Sequence, residues 1–280
     1  MPKPPRAPAD LSGPIGQALE AAAQALQRHE PAEAERLASG VLRSDRQNIG
    51  AGQVLGTALL MQGRPAEAIE PLQRAAKRSG HPAIETLLAR ALSGVGRGEE
   101  AEALLRQAIV RRPAFPQAFL ELGDQLGAAG RFAEAVAVFE EGLSLAPEAL
   151  VLKVGLAFLC LQRNDRTRAR TLFEEVRAAA PERHDALVGL ARTLGLEGDY
   201  AGAADLYRLA LQRRPDDAAV RLDLGKCLLE MGQREAGEAV LRGVAQAGPP
   251  LAGSAIQALA TAPHGRFFLR PSAAAKFLKS

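Results

Sequence analysis

Of the side chains that could do chemistry, the four histidines come first: His29, His81, His184 and His264. None stands beside a Glu or Cys at the spacing a metal site uses, so no metal ligand set and no cofactor is assigned. Gly94-Val95-Gly96-Arg97-Gly98 has the look of a phosphate loop. It lacks the third glycine of the dinucleotide pattern and any closing Lys-Ser/Thr, and it follows a helical stretch rather than a strand. It reads as a turn. The acidic pairs Glu99-Glu100, Glu140-Glu141 and Glu174-Glu175 recur on polar helix faces, where solvent and i,i+4 partners account for them better than acid–base work. Arg111-Arg112 and Arg213-Arg214 sit at helix ends, where cations complement the dipole. Cys160 and Cys227 are too far apart for a CxxC pair, and Cys160 falls on an inward-facing column, as a buried thiol in a reducing compartment would. No catalytic constellation emerges, and the chain is expected not to be an enzyme.

The elements that carry these residues repeat. From Pro116 to Ala149 the pattern gives two amphipathic helices: Phe119, Leu122, Gly123 and Leu126 on one face of the first, then Phe132, Ala135, Val136, Phe139 and Leu143 on one face of the second. Gly130 marks the turn and Pro147 ends the unit. A hairpin this small buries too little to stand alone.

Four columns extend it along the chain, at a spacing of 34 residues with one step of 33. The first is small: Ala22, Gly56, Ala89, Gly123, Ala157, Ala191, Gly225. The second is Ala34, Ala68, Ala101, Ala135, Ala169, Ala203, Gly237, and the third marks the turn: His29, Gly63, Gly96, Gly130, Asn164, Gly198, Gly232. The fourth is bulky after its first member: Ala38, Leu72, Leu105, Phe139, Phe173, Tyr207, Leu241. This period and small–large–small pattern resembles the tetratricopeptide repeat family. The resemblance implies an all-α, right-handed α-solenoid of seven helix-turn-helix repeats at 15–48, 49–81, 82–115, 116–149, 150–183, 184–217 and 218–251. A helix at 252–261 would cap the last repeat. Residues 1–14 read as a mobile proline-rich leader and 262–280 as a basic, phenylalanine-rich tail.

In that family the first helix of each repeat lines a concave groove that holds peptides. Carried onto this chain, the groove comprises Thr57, Met61, Arg90, Leu120, Asp124, Val154, Phe158, Leu161, Arg192, Leu196 and Lys226. The column where the family's carboxylate-gripping members place lysines and asparagines reads Thr57, Arg90, Asp124, Phe158, Arg192, Lys226, which argues against a chaperone C-terminal peptide. An apolar strip with a few cations suits an apolar or amphipathic peptide. Phe158, the one aromatic in its column, is the expected anchor.

The formal charge is +3, but the tail alone carries Arg266, Arg270, Lys276 and Lys279 without an acid. The repeats themselves are near neutral and of mixed sign, which argues against a nucleic-acid cradle. Phe267, Phe268, Leu269 and Phe277 are too apolar to leave in water, so the tail is expected to dock on its own repeats or on a second copy. No apolar run suits a signal peptide or a membrane span, which points to the cytoplasm, and the arginine- and alanine-rich composition to a bacterial source.

The expectation is a non-catalytic protein-binding scaffold. The alternatives are an accessory or regulatory subunit of a glycosyl- or sulfo-transferase system, and a nucleic-acid or membrane-surface binder acting through the basic tail.

Overall fold

Helix starts and stops follow from residue types that the repeat places at fixed intervals. Proline opens α1 (Pro14–Gln27), α2 (Pro31–Ser44), α4 (Pro65–Ser79), α5 (Pro82–Gly94) and α7 (Pro116–Ala128), where its missing N–H is no loss. Asn48 caps α3 (Ile49–Met61) by accepting from the Ala51 N–H at 2.9 Å. The remaining helices of the first half are α6 (Gly98–Ile109) and α8 (Phe132–Leu145). Beyond them lie α9 (Leu150–Gln162), α10 (Arg166–Ala179), α11 (His184–Glu197), α12 (Tyr200–Arg213), α13 (Ala218–Glu230), α14 (Arg234–Gln246) and α15 (Pro249–Thr261). Asp165, Asp199 and Asp217 cap α10, α12 and α13 in the same manner as Asn48.

This computed structural model describes residues 13–246, 249–261 and 276–277. Among the described residues there is no strand, and the fifteen helices run from twelve to fifteen residues each. They form two compact units, residues 1–148 and 149–280. In the first, each helix packs on the next and the first helices α3, α5 and α7 also touch in order. In the second, α9 to α14 pair the same way and α15 covers α13 and α14.

The turn column explains the hairpins. His29, Gly63, Gly96, Gly130, Asn164, Gly198 and Gly232 all adopt positive φ, between 59° and 90°. Glycine reaches this region freely and asparagine tolerates it better than most residues. The other columns explain the packing. The bulky column is buried throughout, with Phe139 and Phe173 at 0% exposure, and the small column lets it in. A Cβ added at Gly123 would stand 2.5 Å from the Phe139 ring, and one at Gly225 would stand 2.8 Å from Leu241. Gly56 against Leu72 and Gly189 against Phe173 leave no more room. Small residues are therefore a requirement of close helix approach, and each large side chain so buried contributes on the order of 1.5–3 kcal/mol.

Just before α8, Arg131 reaches Glu134 in that helix's first turn at 2.6 Å and Glu102 on α6 at 2.7 Å. Arg64 does the same with Glu67 and Glu35. The pairs to Glu134 and Glu67 are exposed and those to Glu102 and Glu35 part-buried, and ion pairs this open to water add little stability.

Candidate peptide-binding site

The positions expected to line a groove fall on the first helices, and the two units treat them differently. In residues 1–148, Thr57 is half-buried and its hydroxyl donates to the Gln53 carbonyl at 2.9 Å, so it is already spent within α3. Met61 is exposed at the end of that helix, Leu120 is half-buried on α7, and Arg90 and Asp124 are exposed. Arg90 acts through space on Glu121 and Asp124 without an ion pair to either within 4.0 Å. Crowding by protein, with Glu121 adding repulsion, pushes the Asp124 carboxyl up to about 6, Arg90 opposing both.

In residues 149–280, α9 contributes less than expected. Val154 is buried at 6% exposure and presents no apolar group to a ligand, because this turn of α9 faces the neighbouring helices. Phe158 and Leu161 are half-buried. The Phe158 ring already has a partner, meeting Phe173 edge-on at 5.1 Å between centroids.

The other three expected residues converge. Arg192, Leu196 and Lys226 line one open recess of about 270 Å³, built by α11, the first two turns of α12 and α13. Leu196 is 52% exposed, and among the described residues of this unit it is the one large apolar side chain left exposed. Tyr200, Tyr207 and Cys227 complete the apolar lining, and Asp223 and Glu230 add acids. Lys226 donates to Asp223 at 2.9 Å, whereas Arg192 makes no ion pair with a described residue. A second recess, about 310 Å³, lies between α13 and α15 and shares Lys226 and Glu230 with the first.

Burial, then the nearby Asp223 charge, holds the Tyr207 phenol protonated far above its ordinary range. The same two causes push the Cys227 thiol up to about 11. A neutral thiol in this setting is a packing group rather than a nucleophile. Among the described residues no cluster of three or more His, Cys, Asp or Glu is placed to hold a metal, and no helix is long and apolar enough to cross a membrane.

Tyr200, Tyr207 and Cys227 are the site residues that the groove register missed. They belong to α12 and to the inward side of α13, whereas the register names only the outward positions of first helices. One signal was in the sequence: the chain has two tyrosines, and both line this recess.

At the tail, Phe277 packs on a core of Leu222, Leu229, Leu241, Val244, Ala255, Ala258 and Leu259, with the Arg242 guanidinium 4.4 Å from its ring centre. Phe267, Phe268 and Leu269 lie outside the described residues.

Comparison with known proteins settles the family. A tetratricopeptide repeat model matches residues 59–120, 127–194 and 196–262, most of the chain. The chain belongs to the tetratricopeptide repeat family. As a member it is similar in structure to a tetratricopeptide repeat protein from Parabacteroides merdae ATCC 43184, with a TM-score of 0.63 and 16% identity, over 87% of this chain and 98% of that one. It is similar also to human IFIT1, solved as a dimer with PPP-AAAA, with a TM-score of 0.72 and 15% identity over 88% and 63% of the two chains. At those identities the likeness is one of fold. Among curated proteins, cellulose synthase operon protein C of Xanthomonas axonopodis pv. citri (strain 306) is 30% identical over 254 residues. That alignment takes in 85% of this chain but only 17% of the relative's length.

Proposed function

We propose that this tetratricopeptide repeat chain is a non-catalytic scaffold that binds an apolar or amphipathic peptide, and that the recess over α11 to α13 takes the peptide's anchoring side chain. The observation that carries this reading is Leu196, an exposed leucine bordered by both tyrosines of the chain. Leu196 and the half-buried Tyr200 give an apolar contact above the buried Tyr207, and tyrosine loses little conformational freedom when a ligand covers it. Arg192 supplies an unspent cation and Asp223 and Glu230 supply acids, so the rim suits a segment bearing both signs of charge beside its apolar face. The adjoining recess on α15 gives such a segment a path of more than one side chain.

The test is selection of peptides from a displayed library on the full chain, followed by fluorescence anisotropy on the winners. Leu196→Glu is expected to weaken binding at least tenfold while the helical circular dichroism stays unchanged. Unchanged affinity in that variant would remove the recess from the account.

A second reading rests on the curated relative. Its name ties it to a cellulose synthase operon, which favours an accessory role for this chain in a glycosyl-transfer system. The peptide in the recess would then come from that machinery. Co-purification of the chain with a cellulose synthase catalytic subunit, lost in Leu196→Glu, would support it, and no co-purification under conditions where library peptides bind would count against it.

A further inference from the structure

A cleft on the opposite kind of surface, between the second helices α2 and α4 and the start of α3, has a character of its own. It encloses about 250 Å³, its floor is made by Leu42, Pro71 and Ala75, and four cations surround it: Arg46, Arg74, Lys77 and Arg78. No acid lines it. Arg46 and Lys77 make no ion pair with a described residue, Arg74 stands 3.5 Å from Glu70 on the exposed side of α4, and Arg78 donates only to the Gln47 amide at 2.5 Å.

Charge at helix ends accounts for part of this, since Lys77 and Arg78 lie in the last turn of α4. It does not account for the whole. In the repeat register the position of Arg74 is Gln107, Glu141, Glu175 and Leu209 in the later copies. The position of Lys77 is Val110, Ser144, Ala178 and Gln212, and that of Arg46 is Gly80, Pro113, Pro147 and Pro181. The Arg78 position keeps a cation in two later copies, Arg111 and Arg213, whereas those copies supply no cation at the other three positions.

We propose that this cleft is a second peptide site, one that takes an acidic segment with an apolar side chain at its centre. Charge complementarity selects the acids: like charges at the rim, two of them unpaired, favour carboxylates on either side of an inserted group. The apolar floor selects the inserted group. Single-stranded RNA fits less well, because no aromatic side chain lines the cleft to stack on a base. An anionic membrane fits less well too, because the apolar groups are recessed and cannot insert into a bilayer.

An array of twelve-residue peptides tests this on the full chain. One set is glutamate-rich with a single central Leu, Ile, Met or Phe, a second is glutamate-only, and a third replaces Glu by Lys. The first set should bind the wild type, weaken with added salt, and lose at least tenfold in affinity in the double variant Arg46→Glu/Lys77→Glu. Both changed residues are exposed and leave the core intact. Leu196→Glu should bind this set as the wild type does, which separates the cleft from the recess in the other unit. Four results would each overturn the proposal: no binding, equal binding of the glutamate-only set, equal binding by the double variant, or loss of binding in Leu196→Glu. Binding of oligo(A) RNA or of phosphatidylserine vesicles that the double variant abolishes, without peptide binding, would overturn it as well.

Discussion

Met61 in the first unit and Leu196 in the second occupy the same repeat register, and both are exposed, at 43% and 52%. What surrounds them differs. The register positions that hold Tyr200 and Tyr207 beside Leu196 hold Pro65 and Leu72 beside Met61. On the first unit's α7, Glu121 and Asp124 gather under Arg90, whereas the second unit sets Arg192, Lys226, Asp223 and Glu230 around an apolar recess. The scaffold columns are the same in both. Surface character therefore resides in the positions the repeat leaves free, while the columns that build the helix pairs are shared.

The strongest way to break that comparison is to attack the shared columns, which should fail alike in both units. Gly123→Leu in the first and Ala157→Leu in the second would each force a side chain into a fully closed contact, costing roughly 1–3 kcal/mol or more. Denaturant midpoints would show it, and an unshifted midpoint in either variant would mean that its column does not mark the closest helix approach. Removing the caps should cost less. Asp217→Ala loses the bond to the Val220 N–H at 3.0 Å and the partner of His184 Nε2, also at 3.0 Å. Asn48→Ala loses only the bond to Ala51. About 0.5–2 kcal/mol is expected from each cap, with Asp217→Ala the larger of the two because it breaks two contacts.

The smallest expected effect is the one that separates the units by pH. Asp124 ionises near 6 in the fold against 3.8 when unfolded, so the fold opposes its charge. Below about pH 4 both states hold the proton and nothing is lost; stability then falls as pH rises through about 6. Asp124→Asn removes this contribution, so its stability advantage over the wild type should grow as pH rises from about 4 to about 6 and level off above, by a modest amount given the exposure of the carboxylate. Midpoints of the two proteins measured from pH 4 to pH 7 check the sign. A difference that grows toward low pH would contradict it.

Much of the frame was legible in the sequence because its demands are local and periodic. A turn needs positive φ at one position per repeat, and His29, Asn164 and the five glycines between and after them stand there. The bulky column needs a small residue opposite, and Gly123 under Phe139 shows why. The candidate site was only partly legible. Arg192, Leu196 and Lys226 follow from the first-helix register, but Tyr200 and Tyr207 enter the recess from α12, through a helix crossing that no single-helix pattern records. Val154 failed for the converse reason: its place in the register is right, yet neighbouring helices cover it. The cleft between α2 and α4 was invisible in the register because its four cations come from two repeats.

The two tyrosines offer the most direct test of the central claim that peptide binding is centred on the α11–α13 recess. With tyrosine rings selectively labelled with carbon-13, the chain should give signals from Tyr200 and Tyr207 alone. Titration with a library-selected peptide is predicted to shift both, saturating at the affinity measured by anisotropy, and to leave both unmoved in Leu196→Glu. Saturable binding to the wild type with neither tyrosine shifted would contradict the account.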